Sequence, residues 1–254
     1  MLSGRGLGHT QGTIDKLESI PGYRSVLSLP AFQQIVEDVG ISIMAQSQDI
    51  CPADHKIYAL RDITDTVASF PLICGSIMSK KVAEGIQGLV LDIKIGSGAF
   101  MKTLSEAEKL GTLLKDVGKL YGLQISICYT GMEQPLGNTA GLWCEIMESV
   151  DCLKVNGPDD VMSVVYHLGE QALRLVEISN PEKLLKDAIS DGSAFEKFSR
   201  MVSAHGGSIE SLDNPHILQP SFCKQVLAES VGYITAMNTL ELGRAVVQMG
   251  GGRL

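Results

Sequence analysis

Basic residues are in short supply: 21 Lys and Arg stand against 29 Asp and Glu, for a formal net charge of −8 and a pI near 5.1. A protein whose main partner is a nucleic-acid backbone needs a basic face, so that partner class is excluded as the principal one. Long apolar runs are missing too. Nothing approaches the roughly 20 residues that cross a bilayer, so no membrane span is predicted. No basic stretch followed by an apolar one stands at the N-terminus, so no secretory signal is read and a cytosolic location is expected. The six cysteines, at 51, 74, 128, 144, 152 and 223, never form C-x-x-C and never pair with His at zinc-like spacing. Several sit in apolar runs such as Ile125-Ser126-Ile127-Cys128, which points to reduced core thiols. There is no internal repeat.

With 254 residues, 44% of them hydrophobic, the chain is long enough for one large or two modest domains around a sizeable core. The stretch from Ser3 to Glu18 draws attention first. Glycines at 4, 6, 8 and 12 let the backbone approach a ligand closely, and Ile14, Leu17 and Ile20 follow at helical spacing with Thr13 as the expected N-cap. A Gly-rich loop entering a helix collects free N–H groups and suits an anion such as phosphate.

Further along, 31–39 reads as a helix closed by Gly40, 41–45 as a strand, and 52–61 as a helix opened by Pro52. Residues 66–83 are helical in pattern with an interruption at Pro71. Gly88 to Gly96 is a nearly continuous apolar run that reads as a buried parallel strand, and 124–129 as its partner. Between them, 105–122 is an amphipathic helix with a capping-box spacing at Ser105 and Glu108. Strand, helix and strand together predict a parallel crossover in an α/β sheet. Helices are expected at 142–153, 159–177, 181–190, 193–204 and 236–249. The region 191–220, with its Gly and Pro turns, is expected to be the weakest packed.

Ser76 and Lys80 are four apart on a predicted helix and share a face. From the pattern alone, Lys80 is expected to extend outward together with Lys81. Glu145 and Glu148 read as a solvated face, and His55, His167, His205 and His216 as surface or turn residues. Only His9, inside the opening loop, is placed near a ligand.

The opening loop resembles the signature S-G-R-G-L-G-x-x-G-G-T-x-D-x-x-E of the thymidine and pyrimidine-nucleoside phosphorylases, departing from it at Gln11, where that family has Gly. A second segment, Tyr58-Ala59-Leu60-Arg61-Asp62-Ile63-Thr64 through Ser76-Ile77-Met78-Ser79-Lys80-Lys81, is similar to the family's Y-A-x-R-D-I-T…S-I-x-x-K-K. Cys74-Gly75 replace the Thr-Ala of many relatives. Gly96-Ser97-Gly98-Ala99-Phe100 and Gly131 to Gly137 match as well. The resemblance implies an α/β fold with a central sheet flanked by helices, as in nucleoside phosphorylases and phosphoribosyltransferases, and a mostly helical second half. It divides the chain into an α/β domain at 1–234 and the start of a further α+β domain at 235–254.

It also implies phosphorolysis of thymidine or a related pyrimidine nucleoside, with inorganic phosphate as co-substrate, no cofactor, and a homodimer for the complete protein. Arg61 and Lys80 become the expected catalytic pair. Together with Ser76 they would hold the base; Leu7, Tyr58, Val67, Ile73 and Phe100 would wall it, and Ser3 and Thr13 would contact phosphate. In bacterial relatives the equivalents of Leu136, Thr139 and Glu148 hold potassium, but Leu142-Trp143-Cys144 replaces the usual small polar run and no metal is expected here. The family's Lys-His-Ser run, with its catalytic His and main phosphate clamp, has no counterpart in 1–254. The chain is therefore expected to be an excerpt or short form with little turnover of its own. The alternative is a catalytically silent fragment that binds a nucleoside or a partner subunit. A phosphoribosyltransferase is a weaker reading, because its diphosphate site is missing.

Overall fold

A computed structural model describes residues 1–6, 12–47, 50–61, 64, 66 and 69–251, at 55, 58, 59 and 215 for the backbone alone. The fold is α/β and mostly helical, with two small parallel sheets. Among the described residues the strands form two separate pairs.

The first pair joins β1 (Leu2–Ser3) to β2 (Met44–Ala45), in the register Leu2 with Met44. Between them lie α1 (Thr13–Leu17) and α2 (Leu29–Val39). Gly40 ends α2 in the left-handed region at φ 88°, as its position in the sequence predicts. Leu2, Met44 and Ile50 make a small core beneath this pair.

Next come α3 (Pro52–Arg61) and α4 (Phe70–Ala83). Pro71 does not interrupt α4. It lies in the first turn, where its missing N–H has no partner to lose, and Ser69 is the N-cap.

The second pair is β3 (Gly88–Ile95) and β4 (Gln124–Gly131), joined in register from Gly88–Gln124 to Ile95–Gly131 through α5 (Leu104–Leu120). The capping box of α5 uses Thr103 and Glu106, not Ser105 and Glu108. Glu106 N–H donates to Thr103 Oγ1 at 3.3 Å, and Thr103 N–H returns to Glu106 Oε2 at 3.1 Å. Alternate residues of the sheet (Leu89, Leu91, Ile93, Ile125, Ile127) pack toward α5 around Met78, Leu110 and Leu114. Close approach is possible because α5 carries Gly111 and Gly118: a Cβ at 111 would sit 2.5 Å from the Tyr129 hydroxyl, and one at 118 would overlap Ile125. The opposite face meets α7 (Asp159–Leu175), where Ser126 Oγ donates to Gln171 Oε1 at 3.0 Å.

The helical half adds α6 (Leu142–Leu153), α8 (Pro181–Ser190), α9 (Ser193–Ala204) and α10 (Ile209–Asp213). Ile146, Val150, Met201, Val202 and Leu212 from these helices enclose Leu17, Ile20, Tyr23 and Val39 in the largest core cluster. The expectation that 191–220 is weakly packed is thereby corrected for 193–213. The bare stretch comes later: every residue described from 216 to 238 is exposed, Val226, Val231 and Tyr233 among them. It leads to α11 (Thr239–Val246).

His205 corrects a further expectation. It is fully buried and lies 4.6 Å from the Tyr23 ring in a parallel stack. Its Nδ1–H donates to the Arg24 carbonyl at 2.8 Å, which leaves Nε2 to accept from Ser42 Oγ at 2.9 Å. Burial pushes the imidazole pKa down, so the ring is neutral. The six cysteines are all free, and burial raises the thiol pKa of Cys74, Cys128 and Cys152. Among the described residues, no helix is long and apolar enough to cross a membrane.

Candidate functional site

Between the two strand pairs lies a cavity of about 690 Å³, a size suited to a small ligand. Its wall from α4 is a helical stripe of Ile73, Ser76, Ile77 and Lys80. Arg61 enters from the last turn of α3 and is buried. Ser3, Gly4 and Arg5 come from the opening segment, Ala45 and Gln46 from the end of β2, and Gly98 to Met101 from the loop after β3. Leu91, Asp92, Ile93 and Lys94 all line it, although successive strand residues point to opposite faces; the cavity therefore looks onto the outer edge of β3. That open edge explains why β3 is only half-buried along most of its length, against the expectation of a covered parallel strand.

Lys80 turns inward, not outward. Its Nζ donates to Asp54 Oδ2 at 2.8 Å and to Ser76 Oγ at 2.9 Å. Lys81 also folds back, onto Glu84 at 2.7 Å and the Leu2 carbonyl at 3.3 Å. Glu84 in turn accepts the Leu2 N–H at 2.9 Å, so the end of α4 fixes β1 and sets Ser3 at the cavity.

On β3, Asp92 and Lys94 pair at 2.7 Å. Thr130 of β4 bridges them, accepting from Lys94 and donating to Asp92 at 2.7 Å each. Sequence reasoning missed this pair and Asp54. The signal for the first was two opposite charges spaced i, i+2 inside an apolar run.

The opening segment is held by a clasp. Arg5 reaches Glu18 with both terminal nitrogens, at 2.6 and 2.7 Å, and Asp15 at 3.0 Å. Asp15 Oδ2 also accepts the N–H groups of Gly6 and Gly12, at 2.7 and 3.0 Å. Burial opposes the charge on Asp15, but these two N–H groups and the guanidinium outweigh it and hold the carboxyl below its ordinary pKa. Contact with Arg5 likewise lowers the pKa of Glu18, which also accepts from Ser25 Oγ. Gly12 is the N-cap of α1, which corrects the assignment of that role to Thr13. Its lack of a side chain is a matter of space: a Cβ there would overlap Gly6 N and lie 2.6 Å from the Arg5 carbonyl carbon. Lys16 of α1 pairs with Glu145 of α6, tying the clasp to the helical half.

Of the sequence-predicted site residues, Arg61, Ser76, Lys80, Ile73, Phe100 and Ser3 meet at this one cavity. Thr13 is exposed at the first turn of α1 and is not part of the cavity wall. Leu7, Val67, His9, Gln11 and the Tyr58 side chain lie outside the described residues. Glu145 and Glu148 are not a free solvated face. Each caps the loop before α6, taking the N–H of Gly141 at 3.0 Å and of Asn138 at 2.8 Å. At the rim, Thr239 of α11 is buried against Gly98, where a Cβ would lie 2.8 Å from its methyl. Among the described residues, no group of three His, Cys, Asp or Glu side chains could hold a metal ion.

The model of the glycosyl transferase family, a/b domain, matches residues 1–195. The chain belongs to this family. Its glycosyl transferase relatives include the pyrimidine-nucleoside phosphorylases of Staphylococcus epidermidis, 45% identical over 99% of this chain and 59% of the relative, and of Staphylococcus aureus, 42% identical over 100% and 60%. That of Staphylococcus haemolyticus is 42% identical over 99% and 59%. The chain thus spans about 59% of the length of these relatives. The family's a/b domain holds the whole cavity wall described above, from Ser3 to Met132.

Proposed function

We propose that the cavity binds the base of a pyrimidine nucleoside and serves its phosphorolysis. Phosphate attacks C1′, the bond from C1′ to N1 of the base breaks, and its electron pair leaves with the base, giving sugar 1-phosphate. For thymidine the products are thymine and deoxyribose 1-phosphate. The departing base carries negative charge onto its carbonyl oxygens, and charge-assisted donors aimed there lower the barrier. Arg61, Ser76 and Lys80 take that role. Ile73 and Phe100, with Leu7, Tyr58 and Val67, enclose the ring. Ser3 contacts phosphate from the cavity wall, and Thr13, which stands outside that wall at the first turn of α1, is assigned to the same anion through the family resemblance alone. The complete protein acts as a cytosolic homodimer, in which 235–254 opens a further domain.

The observation that carries this reading is the convergence of Arg61, Ser76 and Lys80 on one cavity with Ser3 beside them. Thymine or uracil is expected to raise the melting temperature of the chain, and protection by neither refutes the base site. Phosphate-dependent thymine release from thymidine reads the activity itself. Base protection without any release would assign this chain the silent, nucleoside-binding role.

A further inference from the structure

We propose that Asp54 is the positioning residue of this cavity: its carboxylate holds the Lys80 ammonium against Ser76 and so fixes the direction of the hydrogen bond that Ser76 offers the ligand. The proposal rests on the base-site reading and adds a residue to it.

Asp54 lies on α3, and the side chains of Asp54 and Lys80 are only 8% and 13% exposed. A carboxylate so far from water is costly unless paired, and the 2.8 Å contact with Lys80 supplies the pairing. Gln46 Nε2 stands 3.4 Å from the same oxygen, a weaker neighbour that also lines the cavity. Polarity then passes along the chain of contacts. An ammonium only donates, so at the 2.9 Å contact Ser76 Oγ must accept. Its single hydrogen is left to be donated, and the cavity that Ser76 lines is where a carbonyl oxygen can receive it. Carboxylate, ammonium and hydroxyl thus form a directed relay that selects a ligand acceptor over a ligand donor at that point. In sequence the relay joins residues 26 apart and 4 apart, across the α3–α4 contact.

The test measures thymine affinity by calorimetry for the full chain and for D54N, D54E, K80M and D54N/K80M. Asp54→Asn keeps the shape and removes the charge; it is expected to weaken thymine binding about tenfold. Asp54→Glu restores the charge at a displaced position and is expected to fall between wild type and D54N. In the K80M background D54N is expected to add less than about twofold, because Asp54 acts through Lys80. A second arm needs no ligand: acetylation of Lys80 by acetic anhydride, read by peptide mass spectrometry against exposed Lys109, should speed up several-fold in D54N. If D54N does not fold, D54E must show both a reduced affinity and faster Lys80 acetylation. Unchanged acetylation at Lys80, or a full D54N loss persisting in the K80M background, overturns the proposal. Failure of the wild-type chain to bind thymine would instead refute the base site, and the acetylation arm would still decide whether Asp54 holds Lys80.

Discussion

Replacing His205 by Phe tests the long-range polar staple that closes the helical core. Phe keeps a flat ring over Tyr23 but can neither donate to the Arg24 carbonyl nor accept from Ser42. Ser42 loses a partner in the interior and the Arg24 carbonyl loses one at its edge, at roughly 1–3 kcal/mol each. Retained stacking offsets little of this, so the variant should lose about 2–5 kcal/mol, a large share of the 5–15 kcal/mol that stabilises an ordinary domain. Urea unfolding at pH 8 measures it as a lower midpoint with an unchanged slope. The sign of the pH dependence follows from the depressed pKa of the buried ring. The unfolded chain binds the proton more readily, so His205 contributes its full stability above the ordinary value near 6.5. That contribution is lost as pH falls from there toward the lower folded value, by at most about 1.4 kcal/mol per unit. His205→Phe should remove this slope between pH 7 and 5. A loss below about 1 kcal/mol at pH 8, or an equal slope in both proteins, would refute the argument.

Gly12→Ala should cost about 1–3 kcal/mol, since the new methyl meets the backbone of residues 5 and 6 rather than a flexible side chain; thermal melts would show it, and an unchanged midpoint would count against the clasp geometry. Glu18→Gln leaves Arg5 with one full carboxylate partner, so the Gly6 and Gly12 amides should exchange hydrogen faster while those of β4 do not change. Lys80→Met should weaken thymine binding by about 1.5–3 kcal/mol, the worth of a charged hydrogen bond, and equal affinity by calorimetry would remove Lys80 from the site. Chymotrypsin should cut first at Phe222 or Tyr233, which are 76% and 97% exposed, and a first cut within 193–213 would contradict the packing described for α9 and α10.

Elements set by local pattern were legible in the sequence. Gly40 stops α2, the apolar runs of β3 and β4 flank an amphipathic helix, and the helices of the second half fall close to their expected bounds. Thr103-Glu106 and Ser105-Glu108 satisfy the same capping rule two residues apart, so nothing local separates them. What escaped depends on partners far away in the chain. His205 stands beside Gly206-Gly207 and reads as a turn, while its stacking and hydrogen-bond partners Tyr23 and Ser42 are more than 160 residues upstream. Lys80 reads as a surface lysine until Asp54 is seen beneath it. The convergence at the cavity was legible only through the resemblance of whole segments to a family; residue spacing alone linked Ser76 with Lys80 and nothing else.

The rim of the cavity is held partly by an arm. Thr239 rests on Gly98, yet the chain leading to it from 216 to 238 is bare. Covalent attachment keeps α11 near its seat at an effective concentration on the order of millimolar. A single nick in that tether would turn the docking of an eight-residue helix into an encounter between separate molecules, diluted to whatever the solution holds. Gly98 would then lose its cover while the core clusters stayed whole.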